Sequence, residues 1–161
     1  MTHKYKSAAA IVLGMHDALV SLTGMIAGLT FTFTDRTLII LSAIIASVAA
    51  ALSMGASNYL AEKTGGGTNP IKTGVITCVA YMVTCVVLIL PFIFISNTRV
   101  ALIISGVIVV LVILGCNWRI GHRNHQPWWK HAIEMLVICA SVSVISFIIG
   151  EVAKSWLGVM I

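Results

Sequence analysis

Asp17 lies within the run GMHDALVSLTGMIAGL, residues 14 to 29, where almost every neighbour is apolar. An ionised carboxylate in hydrocarbon costs several kcal/mol at least, and such acids by default mark ion or proton pathways. A second run, AAALSMGASNYLAEK, residues 49 to 63, offers Met54 and, four residues on and on the same helical face, Asn58. A carboxylate oxygen beside a thioether sulfur makes a mixed hard and soft pair. That pair suits a borderline divalent transition ion better than Mg²⁺ or Ca²⁺, which take all-oxygen shells. Asn58 adds a carbonyl oxygen. His16, Ser21, Ser53, Ser57 and Glu134 are accessory candidates. Plainer readings stand beside these: Asp17 as a structural acid hydrogen-bonded to Ser21, Thr23 or another helix, Met54 as core filler, and His16 as a packing residue.

The elements that must position these groups follow from composition. Of the 161 residues, 59% are hydrophobic and 9% charged, and the mean hydropathy is +1.04. A soluble domain carries about 25% charged residues, so the chain reads as an integral membrane protein forming a single domain over 1–161. A helix spans hydrocarbon with about 20 apolar residues. Five runs suffice, at about 8–33, 38–61, 73–96, 100–117 and 131–157. They are continuously apolar and not alternating, which excludes a membrane β-barrel. The predicted fold class is all-α, a polytopic bundle of five transmembrane helices. TFTDRT, EKTGGGTNP, SNTR and NWRIGHRNHQPWWKH separate the spans. Pro70 suits the first turn of span three, and Pro91 should kink or end it.

Five spans put the termini on opposite faces. The face with the N-terminus carries Lys4, Lys6, Lys63, Lys72, Arg119, Arg123 and Lys130; the other carries Arg36, Arg99 and Lys154. The positive-inside rule therefore predicts a cytoplasmic N-terminus and an outside C-terminus. The net charge of +5 reads as topology and not as a nucleic-acid stripe. The fourth connection is expected to lie on the membrane surface, with Trp118, Trp128 and Trp129 at headgroup depth and its cations meeting anionic lipid. No cleavable signal peptide is evident.

Depth singles out Asp17. Asp35 and Glu62 fall at span ends, Glu134 about one turn into span five, and Glu151 near the far end, where it can meet Lys154 at i,i+3. Asp17 is ~14 Å deep and Met54, on an antiparallel neighbour, ~10 Å, at about 1.5 Å per residue. The stripe Ala46, Ala50, Ser53, Ser57 should let span two approach another helix closely. Cys116, His122, His125 and His131 read as part of a basic connector more than as a zinc site, because nearby cations would repel the ion. Cys78, Met82 and Cys85 read as core packing. No GxSxG, phosphate loop or HExxH is present, so no enzyme is indicated.

These stretches resemble the vacuolar iron transporter family. LGMHDALVSLTGMIAGL looks like its first-helix signature G-x-N-D-G-L-V-S, and AAALSMGASNYLAEK like its second, S-M-G-x-G-E-Y-L. TGVITCVAYMVTCVVLILPF resembles its third helix, with T-G-x-A-Y and a late L-P, and EMLVICASVSVISFIIG its fifth. The resemblance implies an exporter moving Fe²⁺ or Mn²⁺ out of the cytoplasm in exchange for protons. It implies a homodimer with the pathway between the copies, lined by Asp17 and Met54, and no cofactor other than the cargo ion. Three departures are visible. Asn58 stands where the family has Glu, Ala18 follows the aspartate in place of Gly, and EKTGGGTNP replaces the long Glu-rich cytosolic domain of plant and yeast members. By resemblance, the short form points to a prokaryotic plasma membrane, or to a vacuolar-type membrane in a eukaryote. Two other readings stay open: a non-transporting membrane subunit with the same fold, and a small organic-cation exporter with Asp17 as counter-charge.

Overall fold

The computed structural model describes residues 3–33, 35–124 and 128–157, with side chains described for 8–33, 35–119, 122 and 128–156. Five helices follow one another: α1 His3–Thr32, α2 Arg36–Thr64, α3 Pro70–Phe94, α4 Thr98–Asn124 and α5 Trp128–Leu157. Each contains a stretch long and apolar enough to cross a membrane, and no strand occurs among the described residues. The protein is an all-α integral membrane protein.

The breaks have local causes. Asp35 caps α2, its carboxylate accepting from the Thr37 amide at 2.7 Å. Asn97 does the same for α4, accepting from the amides of Arg99 at 3.0 Å and Val100 at 3.3 Å. After α2 the chain turns through Gly65 and Gly66; Gly66 has φ +70°, a conformation that disfavours a side chain. Pro70 opens α3, and Pro91 sits one turn from its end, where the Ile95 amide closes on the Pro91 carbonyl. Pro91 thus ends the helix within a turn.

α1 is the hub and contacts all four other helices. It is the least apolar of the five spans. Leu19, Leu22 and Ile26 of α1 meet Tyr81, Leu88 and Phe92 of α3 and Ile113 of α4 in the core. The outer faces carry exposed Leu, Ile and Val, as at Leu41, Ile45 and Leu52 of α2, Leu111 of α4 and Ile149 of α5. In water this would be a liability; in a bilayer it is the lipid-facing surface.

Two features differ from the sequence reading. Most of the fourth connection is helical. α4 runs to Asn124, beyond its apolar span, which ends at Arg119, and α5 starts at Trp128. His122 stacks on Trp118, one helical turn away, with ring centroids 6.2 Å apart. WRIGHRN contains one Gly and no Pro, so nothing stops the helix where the hydrophobicity stops. His125 lies outside the described residues. In addition, the stripe of α2 that packs within the chain is Ile39, Ala43, Ser47, Ala51 and Gly55, whereas Ser53 and Ser57 are exposed. Small residues occupy nearly every position there, so size alone leaves the register open.

Candidate functional site

Two close helix crossings fix the site. A Cβ placed on Gly14 of α1 would lie 2.4 Å from the Thr77 carbonyl oxygen of α3. One placed on Gly55 of α2 would lie 2.9 Å from the Cys78 Cβ and 3.0 Å from the Gly74 carbonyl oxygen. Only glycine lets the backbones approach this far. α1 and α2 therefore meet α3 at the same level, that of Thr77 and Cys78. Met54 is adjacent to Gly55, and Asp17 lies one turn from Gly14, so Asp17 and Met54 share a depth to within about a turn. This agrees with the similar depths reached by counting residues.

Polar side chains of α3 tie the three helices together. Thr77 is fully buried, and its hydroxyl receives a hydrogen bond from the Asn58 amide of α2. The same hydroxyl donates to the Thr73 carbonyl at 3.0 Å. One turn on, the Tyr81 hydroxyl lies 2.7 Å from Ser21 Oγ. Ser21 donates its single proton to the Asp17 main-chain carbonyl at 2.7 Å, so Tyr81 is the donor in the other bond. The result is a directed chain from Tyr81 through Ser21 to the Asp17 backbone. It holds the turn of α1 that bears the carboxylate and leaves the carboxylate itself untouched.

That carboxylate has no hydrogen-bond or ion-pair partner among the described residues, and Asp17 is exposed at the surface of the chain. The structural-acid reading expected hydrogen bonds to Ser21, Thr23 or another helix, and none reaches the carboxylate among the described residues. Ser21 is committed elsewhere, and the Thr23 hydroxyl is buried with no partner among the described residues. Met54 is half-buried against the core, beside Ala50. Asn58 is half-buried and spends an amide hydrogen on Thr77, which leaves its carbonyl oxygen free of any hydrogen bond among the described residues.

The accessory candidates separate. Ser21 belongs to the cluster through Tyr81. His16 is half-buried, and its Nε2 is buried without a partner among the described residues. Ser53 and Ser57 are on the exposed face of α2. Glu134 is at the start of α5, exposed and 3.8 Å from His131, away from the other candidates. Cys116 turns to Met15 of α1, its Sγ 3.4 Å from the thioether sulfur. Cys85 is buried and Cys78 half-buried in the bundle. Among the described residues no three His, Cys, Asp or Glu side chains converge as a metal site. One chain thus carries one carboxylate, one thioether and one amide carbonyl at a similar level on α1 and α2.

Thr77 and Tyr81 are the members of the cluster that the sequence alone did not single out. Their signal is legible nonetheless: Thr73, Thr77 and Tyr81 recur every four residues in an otherwise apolar run. The sulfur residues beside them, Cys78, Met82 and Cys85, are the more conspicuous.

The match to known families comes in two segments. The model of the VIT family matches residues 8–65 and 63–151. The segments join at the turn between α2 and α3, where longer members are expected to carry their extra domain. No curated protein matches the chain.

Proposed function

We propose that this chain, which belongs to the VIT family, moves Fe²⁺ or Mn²⁺ out of the cytoplasm in exchange for protons. We place the pathway between two copies of the bundle. The observation that carries this reading is Asp17: a carboxylate near the middle of a membrane-spanning helix, exposed at the chain surface and unpartnered among the described residues. Lipid cannot cover such a group at that depth without a cost of several kcal/mol. A second copy can. Two Asp17 carboxylates facing across a seam neutralise one divalent ion, and Met54 and Asn58 from each chain complete its shell. The thioether favours Fe²⁺ or Mn²⁺ over Mg²⁺.

Proton coupling follows from the same group. Without metal, two carboxylates close together repel, so protons occupy the seam. An arriving cation favours the ionised forms and displaces them. The Tyr81–Ser21 chain fixes where the carboxylates sit, and the Asn58–Thr77 bond fixes α2 beside them. Asn58 stands where the family has Glu, so the shell carries one negative charge less per chain. The basic asymmetry of the connections supports a cytoplasmic N-terminus, and by resemblance the membrane is a prokaryotic plasma membrane. A proteoliposome assay tests the proposal: purified protein, an internal metal-quenched dye and an internal pH dye. Fe²⁺ or Mn²⁺ uptake with opposite proton movement is expected. A chain that binds these ions but moves neither metal nor protons is a subunit, and the proposal fails. Stabilisation by lipophilic cations and not by metal would assign it to organic cations.

A further inference from the structure

A groove of about 360 Å³ opens between α1 and α5 at the end of the bundle that carries Thr32 and Lys154. Gly28 and Gly150 form its floor; a Cβ on Gly150 would lie 2.5 Å from Thr32 Oγ1 and 3.2 Å from the Gly28 carbonyl. Its walls are Met25, Leu29, Phe33 and Ile149, all apolar. Among the described residues, Lys154 is the only charged one lining it. Lys154 is half-buried, and among the described residues it forms no ion pair. The expected i,i+3 pair with Glu151 does not form; Glu151 is exposed on α5. Nothing in the Asp17 cluster uses this groove, and the pathway proposed above does not depend on it.

We propose that the groove binds one anionic phospholipid from the leaflet on the C-terminal side. An acyl chain lies over Gly28 and Gly150, and the phosphate sits on the Lys154 ammonium. The chemistry is complementary at both ends. A trough lined mostly by apolar side chains, with Thr32 and Ser146 the hydroxyl residues along it, suits a hydrocarbon chain better than water. A lysine stem snorkels from apolar surface toward the interface and presents its charge at headgroup level. Trp156, two residues beyond Lys154, is exposed, as expected of an aromatic ring that meets headgroups.

Native mass spectrometry of the full chain tests this, after delipidation and titration with dioleoyl phosphatidylglycerol, dioleoyl phosphatidylcholine or inorganic phosphate. The wild type should retain one phosphatidylglycerol per chain and release phosphatidylcholine. Lys154→Gln should weaken phosphatidylglycerol binding about fivefold. Ala153→Phe, which fills the groove, should lose the lipid while melting normally. Lys154→Gln leaves the groove intact and decides the matter if Ala153→Phe does not fold. Equal binding of both lipids, or no change in Lys154→Gln, overturns the proposal. So does stabilisation by inorganic phosphate equal to that by phosphatidylglycerol, which would mark a plain anion site. A change of oligomeric state in Ala153→Phe with the lipid retained would show a second copy in the groove, and the proposal would fall.

Discussion

Gly14→Ala is the most informative structural perturbation of the site. The added methyl would sit 2.4 Å from the Thr77 carbonyl oxygen. An ordinary carbon–oxygen contact is roughly 3.4 Å, so α1 must move about 1 Å from α3. The obstacle is backbone, which cannot swing aside. Overpacking of this kind costs about 1–3 kcal/mol. The same movement stretches the 2.7 Å Tyr81–Ser21 bond beyond hydrogen-bond range, which adds about 0.6 kcal/mol in a membrane bundle. The expected loss is about 2–4 kcal/mol, and at about 2–4 °C per kcal/mol the melting temperature should fall clearly. Gly55→Ala should cost less, because its methyl would meet Cys78 at 2.9 Å and the Gly74 carbonyl at 3.0 Å. Gly115→Ala meets nothing within 4 Å, and helix propensity should make it neutral or stabilising by up to about 1 kcal/mol. Tryptophan fluorescence during thermal unfolding in detergent reads the series. An order other than Gly14, then Gly55, then Gly115 would refute the crossing geometry.

Three further outcomes follow. Met54→Leu keeps volume and fold, and should slow Fe²⁺ or Mn²⁺ uptake without changing the melting temperature; unchanged kinetics would return Met54 to core packing. Tyr81→Phe removes the donor to Ser21 and should destabilise by about 0.6 kcal/mol, with metal uptake reduced but not abolished; full activity with full stability would show that the Tyr81–Ser21 chain positions nothing. In protein whose native cysteines are replaced, Ser96→Cys and Gly66→Cys should label from opposite sides of the membrane, with Ser96→Cys reached from outside. Labelling of both from outside would reject the N-in orientation.

Much of this was legible in the sequence because hydrocarbon is a severe solvent. Any span must be helical, continuous and apolar, so five helices and their four breaks could be read, three of them from Asp35, Gly65–Gly67 and Asn97. The fourth was placed within residues 117–131, but the end of α4 inside it could not be read. Hydropathy reports where lipid ends, and α4 continues past Arg119 because nothing in its sequence stops a helix. Asp17 stood out because a lone acid in an apolar run is costly to bury and no Lys or Arg lies at its depth. The register of α2 was hidden, since Ala46, Ala50, Ser53 and Ser57 are as small as Ala43, Ser47, Ala51 and Gly55. Which stripe faces α3 depends on the meeting of Gly55 with Gly74, a contact between distant parts of the chain. The Tyr81–Ser21 and Asn58–Thr77 bonds are tertiary in the same way. Their residue types were visible, but their partners became evident only with the helices assembled.

The central claim is that the Asp17 carboxylate carries both metal and proton. Asp17→Asn keeps the shape and the Ser21 bond to the backbone, and removes the charge. Metal uptake and proton movement should be measured together in proteoliposomes, wild type against Asp17→Asn, across a range of pH. The account predicts a folded protein, as stable as the wild type or more so because a costly acid is gone, with both fluxes abolished. Metal uptake by Asp17→Asn at the wild-type rate throughout that range would contradict it and make Asp17 a structural residue.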